Sequence, residues 1–127
     1  MGFFYIGGDA ADGAERHGEE VAVLVAGGEL DYVASPQLEE RLSERIDAGA
    51  RHVVLDLSMT TFIDSTAIGV LVGAVRRLRE SGSGSLTVVC ADENRRVLQI
   101  LEISGVDALI ALHHSREDAL TELAVAG

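Results

Sequence analysis

The chain has 127 residues, of which 21 are acidic and 10 are basic, so its formal net charge is −11. This length predicts one domain, and the 47% hydrophobic content indicates a folded chain rather than a disordered one. The strong negative charge disfavours nucleic acids and anionic membrane surfaces as partners, and the absence of lysine excludes every mechanism that needs that side chain.

Residues 1–20 form a predicted N-terminal arm, and the folded domain is expected to span residues 21–127. The apolar segment 3–6 fits either an edge strand or a loose arm, and the pattern favours neither. Residues 7–20 are rich in glycine, alanine and acidic side chains, which predicts a loop. The first residues carry no basic side chain, so a secretory signal is not expected and the cytoplasm is the expected location.

Strands and helices then alternate along the chain. The β-branched run at 21–25 predicts a buried strand that ends at Gly27 and Gly28. Ser35 and Pro36 predict the start of a helix, with Ser35 as the N-cap and Pro36 as its first helical residue. The apolar spacing of this helix predicts a buried stripe of Leu38, Leu42 and Ile46, ended by Gly49.

A second buried strand is predicted at 53–57, and after a polar stretch Phe62 and Ile63 are expected to return to the core. A helix is predicted from about 65 to 80, with its buried stripe formed by Ile68, Leu71, Val72, Val75 and Leu78.

The last third of the chain continues the alternation. A strand is predicted at 86–90, a helix capped by Asp92 follows, and a short strand is predicted at 109–112. Ser115 and Asp118 form a capping-box pattern for the last helix. This order predicts an α/β fold with parallel strand pairs and right-handed crossovers.

Asp64, Ser65 and Thr66 are the most informative segment, because they lie where a loop becomes a helix. Free backbone N–H groups and the helix dipole favour negative charge at such a position, so a phosphate on Ser65 fits there. A simpler alternative is that Asp64 or Ser65 only caps the helix.

A row at four-residue spacing follows Ser65 along this helix and consists of Gly69, Gly73 and Arg77. A glycine inside a helix costs roughly 1 kcal/mol relative to alanine, so close approach of another backbone is expected to offset that cost. Either a partner protein docks on this face, or the glycines pack against a neighbouring element of the same chain. The sequence leaves both alternatives open.

Four segments together resemble the STAS domain of bacterial anti-sigma factor antagonists, over about residues 20–124. They are Gly-Glu-Leu-Asp at 28–31, Val-Leu-Asp-Leu at 54–57, Phe-Ile-Asp-Ser-Thr at 62–66 with Gly69 and Leu71, and the stretch 97–105. The resemblance implies a single STAS-like domain with a mixed, mostly parallel sheet of four to five strands, flanked by about four helices. Ala67 departs from the family pattern, in which glycine is common at that position.

The resemblance also implies a function in partner switching. In this family the unphosphorylated antagonist binds an anti-sigma factor, which then releases its sigma factor. The anti-sigma factor is often a serine/threonine kinase, phosphorylation of the serine dissociates the complex, and a serine phosphatase resets it. The matching serine is Ser65, with Thr66 as the second choice. The resemblance implies that Asp31 and Asp64 lie beside that serine and orient it or contact the kinase. Together with Thr66 and the row of Gly69, Gly73 and Arg77, they are the predicted partner-binding residues; no cofactor or metal is expected for the antagonist itself.

Three other functions are weighed against this one. A receiver domain would use Asp56 as its phosphoacceptor, but it also needs a lysine, which the chain lacks. An enzyme is not expected, because Ser65 lies outside a Gly-x-Ser-x-Gly elbow and the histidines make no recognisable metal pattern. A STAS module of a transport, stress-sensing or nucleotide-binding assembly would keep the fold and change the partner.

Overall fold

The computed structural model of the chain describes residues 3–8, 14–16, 19–80 and 82–125. Within these residues there are six strands and four α-helices. The strands are β1 (Phe4–Gly8), β2 (Ala14–Arg16), β3 (Glu19–Leu30), β4 (His52–Ile63), β5 (Ser85–Val89) and β6 (Ala111–His113). The helices are α1 (Ser35–Asp47), α2 (Ser65–Glu80), α3 (Arg95–Ile103) and α4 (Arg116–Val125), with a short 3-10 turn at Val106–Ala108.

The sheet is mixed and mostly parallel. Its strand order is β1-β3-β4-β5-β6, and the short β2 also pairs with β3. Strands β3, β4, β5 and β6 are mutually parallel, whereas β1 and β2 run antiparallel to β3. The predicted α/β fold, with a mostly parallel sheet and four flanking helices, is confirmed.

The N-terminal segment is ordered as an edge strand, since Phe4 pairs with Gly28 of β3. The loop predicted for residues 7–20 is wrong in part, because β2 forms at Ala14–Arg16 and β3 already begins at Glu19. Residues 1–2, 9–13 and 17–18 of the predicted arm lie outside the described part of the chain.

Gly27 and Gly28 lie inside β3, so the prediction that they end the strand is wrong. The ring of Tyr5 covers Gly27, and the backbone at the start of the neighbouring strand β1 lies against Gly28. Neither position therefore has room for a side chain. Gly28 also has φ of +80°, and the register of β3 against β4 shifts at both glycines. The glycines therefore allow close contact with β1 and a bulge within a continuous strand.

The core has a layer on each face of the sheet, because successive strand side chains point to opposite faces. The paired residues Leu24 and Leu55 belong to the larger layer, which α1, α2 and α3 cover. The neighbouring pair Val23 and Val54 belongs to the smaller layer beneath α4. Three helices thus pack on one face and leave the carboxyl ends of β3 and β4 at the edge from which α1 and α2 start.

The ends of the elements differ from the sequence predictions in several places. Ser35 is not the N-cap of α1: it is the first helical residue after Ala34, and its hydroxyl oxygen lies 2.8 Å from the carbonyl oxygen of Asp31. Asp92 does not cap α3, which begins after Asn94. Phe62 was expected in the core, yet it is 39% exposed.

Other predictions of the local structure are confirmed. Helix α2 spans Ser65–Glu80, with Ile68, Leu71, Val75 and Leu78 buried as the spacing predicts, although Val72 is only half-buried. At the start of α4, the Asp118 amide donates to the Ser115 hydroxyl at 3.1 Å, as the capping-box pattern predicts.

Candidate functional site

The candidate site lies where β3 and β4 end side by side. Leu30 and Ile63 are the last paired residues, and the Asp64 amide donates to the carbonyl of Leu30 at 3.3 Å. Asp31 follows Leu30 at the start of the loop that leads into α1, and Asp64 is the single residue between β4 and α2. Because parallel strands end at the same edge, the structure brings these two predicted acidic residues into adjacent loops.

Asp64 is the N-cap of α2. Its Oδ1 atom accepts hydrogen bonds from the amide of Thr66 at 2.9 Å, from the amide of Ala67 at 3.1 Å and from the Thr66 hydroxyl. The capping role that the sequence left open between Asp64 and Ser65 therefore belongs to Asp64. The hydroxyl of Ser65 is not needed to close the helix.

Hydrogen bonding also sets the ionisation of Asp64. Partial burial alone would raise the pKa of this carboxyl group. The hydrogen bond from the Thr66 hydroxyl and those from the amides of Ala67, Thr66 and Tyr32 act in the opposite direction and outweigh burial, so the pKa lies below 3.8. The carboxylate is consequently charged at neutral pH, beside Ser65.

We predict that Asp64→Ala lowers the free energy of unfolding by about 1 kcal/mol at neutral pH, the usual effect of losing an N-cap. Because the folded pKa is lowered, this stabilisation is present above the ordinary value of 3.8 and is lost as the pH falls through the lowered pKa. Urea unfolding at a series of pH values measures the difference from wild type. The difference should shrink in acid, and the exposed Asp107→Ala serves as control; a difference independent of pH would contradict the capping role.

The hydroxyls of Ser65 and Thr66 differ in their surroundings. The Thr66 oxygen lies between Asp64 and Ser35, 3.1 Å from the hydroxyl oxygen of the latter. Ser65 is exposed, and its hydroxyl makes no hydrogen bond to any residue that the structure describes. Both residues are exposed, but of the two hydroxyls only that of Ser65 is free of hydrogen bonds to the described part of the chain.

The two glycines of α2 do not pack against the rest of the described chain. A methyl group built on Gly69 or Gly73 would have no non-local atom within 4 Å. The alternative that they pack against a neighbouring element of the same chain is therefore wrong. Ala67, the departure from the family pattern, is fully buried, so its methyl group faces the core and not the surface.

The row from Ser65 to Arg77 turns gradually around the helix. Gly69 is exposed, whereas Gly73 is half-buried and lines a groove of about 330 Å³ between α1 and α2. Arg77 lies beyond it and forms an ion pair with Asp47 at the end of α1. The glycine nearest Ser65 thus faces open solvent, and the cation at the end of the row is already paired.

Two exposed apolar side chains of this region were not identified from the sequence. Tyr32 is 71% exposed and Val33 is 53% exposed in the loop between β3 and α1. The Asp31 carboxylate supports this loop by accepting the amides of Val33 and Ala34 at 3.0 and 3.2 Å. The sequence did contain a signal for this surface, because the pair stands between an acidic turn residue and the start of a helix. Exposing two apolar side chains there does not stabilise the fold of the chain itself.

Asp56, the acceptor of the receiver alternative, is only 8% exposed. Its carboxylate accepts the guanidinium of Arg116 at 2.9 Å and the amide of Ser58 at 2.9 Å. The nearby Cys90 is buried, and burial together with the charge of Asp56 raises the pKa of its thiol to about 11. Asp56 and Arg116 therefore hold α4 on the sheet, and the carboxylate is not presented at the loop edge.

Two further features bear on the class of protein. Within residues 3–8, 14–16, 19–80 and 82–125, no three His, Cys, Asp or Glu side chains cluster as a metal ion would require. The helices of these same segments are too short or too polar to cross a membrane.

The fold and the site define a STAS domain, since the model of that family matches residues 14–119. The chain belongs to the STAS family of anti-sigma factor antagonists. It is 31% identical over 111 residues to the anti-sigma F factor antagonist of Paenibacillus polymyxa, and this match covers 87% of this chain and 92% of that protein. It is 30% identical over 91 residues to the anti-sigma-B factor antagonist of Staphylococcus aureus, with 72% and 82% of the two chains covered.

Solved structures agree with this fold. An anti-sigma factor antagonist from Mycobacterium paratuberculosis superposes with a TM-score of 0.80 at 23% identity, over 95% of this chain and 94% of that chain. Unphosphorylated SpoIIAA superposes with a TM-score of 0.71 at 22% identity, over 95% and 96% of the two chains. The phosphorylated form of SpoIIAA, from Bacillus, gives a TM-score of 0.62 at 20% identity, over 95% and 99%.

Proposed function

We propose that this chain is an anti-sigma factor antagonist whose binding is switched off by phosphorylation of Ser65. The observation that carries this proposal is the exposed hydroxyl of Ser65 at the start of α2, which forms no hydrogen bond with the described residues and lies beside the charged cap Asp64. The unphosphorylated chain binds an anti-sigma factor, which then releases its sigma factor. The antagonist acts by binding and is not itself an enzyme, and its place of action is the cytoplasm.

The proposed docking surface consists of the loop 31–33, the turn 64–66 and the exposed Gly69. It offers the apolar side chains of Tyr32 and Val33 together with a helix surface that lacks side-chain bulk at Gly69. Another backbone can approach closely at such a position. Gly73 and Arg77 form the far edge of this surface, toward α1.

Phosphorylation at Ser65 is supported by the geometry of the helix start. The positive end of the α2 dipole tolerates a phosphate there without loss of the helix, because Asp64 already provides the cap. The Thr66 hydroxyl, by contrast, is engaged with Asp64 and lies against Ser35. We therefore assign the modification to Ser65 and keep Thr66 as the second choice.

Release of the partner follows from charge. A phosphate adds about −1.5 to −2 charge beside the charged carboxylate of Asp64, in a chain whose net charge is already −11. Arg77 lies twelve residues further along the helix, about 18 Å away, and is paired with Asp47. Arg77 is therefore unavailable to compensate a phosphate buried under a docked partner, so docking becomes unfavourable.

The proposed partners are an anti-sigma factor with serine/threonine kinase activity and a serine phosphatase that acts on the phosphorylated form. The test is incubation of the chain with ATP, Mg²⁺ and an extract of the source organism, followed by mass spectrometry. We predict one phosphate on Ser65 in the wild type and in Thr66→Val, and none in Ser65→Ala. Phosphorylation of Ser65→Ala to the same extent as wild type would refute the assignment.

A further inference from the structure

A chain of side-chain contacts connects the two loops of the docking surface. The hydroxyl oxygen of Ser35 lies 2.8 Å from the carbonyl oxygen of Asp31 and 3.1 Å from the hydroxyl oxygen of Thr66. The Thr66 hydroxyl in turn donates to the Asp64 carboxylate. Ser35 is only 6% exposed, so these protein groups, and not bulk solvent, satisfy its hydroxyl.

This network has fewer hydrogens than contacts. The Asp31 carbonyl and the Asp64 carboxylate only accept, and each of the two hydroxyls carries one hydrogen, so two hydrogens serve three contacts. Thr66 gives its hydrogen to the charged carboxylate, because charge-assisted hydrogen bonds are the stronger ones. The hydrogen of Ser35 then points either to Asp31 or to Thr66.

Both positions of that hydrogen are acceptable. The carbonyl of Asp31 already accepts the amides of Ala34 and Ser35 at 3.1 and 2.9 Å, so it remains satisfied when the Ser35 hydroxyl turns away. When that hydroxyl turns toward Thr66, it donates to an oxygen that itself donates to Asp64. Such a chain of hydroxyls strengthens each bond in it. Ser35 thus gives α1 a polar contact with the first turn of α2.

We propose that Ser35 is a positioning residue, whose hydroxyl joins the loop 31–33 to the first turn of α2 and keeps the docking surface in one arrangement. Ser35 itself is buried, so it acts through Thr66 and not by touching a partner. Its consequence at the switch is that Thr66 and Asp64 stay fixed while Ser65 remains the accessible hydroxyl. The role at the switch rests on the proposed function, whereas the contact between Ser35 and Thr66 does not depend on that function.

Amide hydrogen exchange on the isolated, full-length chain tests the coupling. The amides of Thr66 and Ala67 both donate to Asp64, and they lie 31 and 32 residues from Ser35. We expect Ser35→Ala to raise their exchange rates about fivefold, as for the loss of one hydrogen bond. Thr66→Val should accelerate the Ala67 amide similarly, and the double variant should show no further increase.

Two controls separate positioning from general loss of stability. Ser104→Ala removes a comparable helix-end hydroxyl, which donates to the Leu101 carbonyl far from the site, and should leave both amides unchanged. Thr66→Ser keeps the hydroxyl and should behave as wild type. The exchange rate of the amide of the core residue Leu55 reports global unfolding, and this rate is subtracted from the rates of the Thr66 and Ala67 amides. Unchanged exchange at Thr66 and Ala67 in Ser35→Ala, or fully additive effects in the double variant, would overturn the proposal.

A functional measurement separates this inference from the proposed function. With the kinase activity of the extract, we expect Ser35→Ala to raise the KM for the chain about fivefold and to change kcat less than about twofold, because the acceptor hydroxyl is intact and only its presentation is loosened. Absence of any kinase activity on wild type would contradict the proposed function and leave the exchange result standing. A normal KM together with loosened amides would show that the coupling does not reach the switch and would overturn the positioning role.

Discussion

Replacing Ser65 with glutamate is expected to lower the affinity for the anti-sigma factor by about a hundredfold. The physical reason is that a charge buried without a partner costs about 3 kcal/mol or more, and each 1.4 kcal/mol corresponds to a tenfold change in Kd. The charged carboxylate of Asp64, the residue next to Ser65, adds repulsion rather than compensation. Isothermal titration of the anti-sigma factor recovered with the wild-type chain measures the change.

Matched variants identify the cause of this loss. Ser65→Gln has nearly the size of glutamate without its charge and should lose much less affinity. Ser104→Glu places the same charge at the end of α3, and its effect should be small and should disappear at high salt, since distant exposed charges are screened. Equal losses for Ser65→Gln and Ser65→Glu would show that size and not charge decides docking, and the phosphorylation switch would need another mechanism.

The parts of the site that were predictable from the sequence are those determined by neighbouring residues. The bounds of α2 follow from local patterns, because Asp64 caps its first turn and the apolar spacing marks its buried face. The order of strands and helices is similarly local, and parallel pairing then brings the ends of β3 and β4 together. Asp64 is next to Ser65 in the sequence, whereas a place for Asp31 beside that serine was implied only by the family resemblance.

The parts that were not predictable depend on residues far apart in the chain. Ser35 looks like an N-cap in the sequence, but its hydroxyl meets Thr66, 31 residues away, only after α1 and α2 have packed. Gly27 and Gly28 look like the end of a strand in the sequence. They lie inside β3 because β1 pairs with β3 at this point and leaves no room for side chains. In each case a tertiary contact overrides a local preference, and the contact of Ser35 with Thr66 lies next to the proposed switch.

Gly69 provides a prediction in which stability and binding change in opposite directions. Gly69→Leu is expected to raise the free energy of unfolding by roughly 0.5–1 kcal/mol, because glycine is the poorer helix former, the position is exposed, and a Cβ atom added here meets no non-local atom of the described structure within 4 Å. The same side chain would stand on the docking surface one turn from Ser65. We expect it to lower the affinity for the anti-sigma factor by more than about tenfold, the effect of roughly 1.4 kcal/mol.

Urea unfolding and titration on the same variant measure the two effects separately. Thr121→Leu on α4 is the control: this exposed position lies on the opposite face of the sheet, and its substitution should leave binding unchanged. A more stable Gly69→Leu chain that no longer binds cannot have lost binding through misfolding, so the lost affinity would locate the partner on the glycine face. If Gly69→Leu binds as well as wild type, the partner contacts Ser65 from the side of Tyr32 and Val33, and the glycine face lies outside the docking surface.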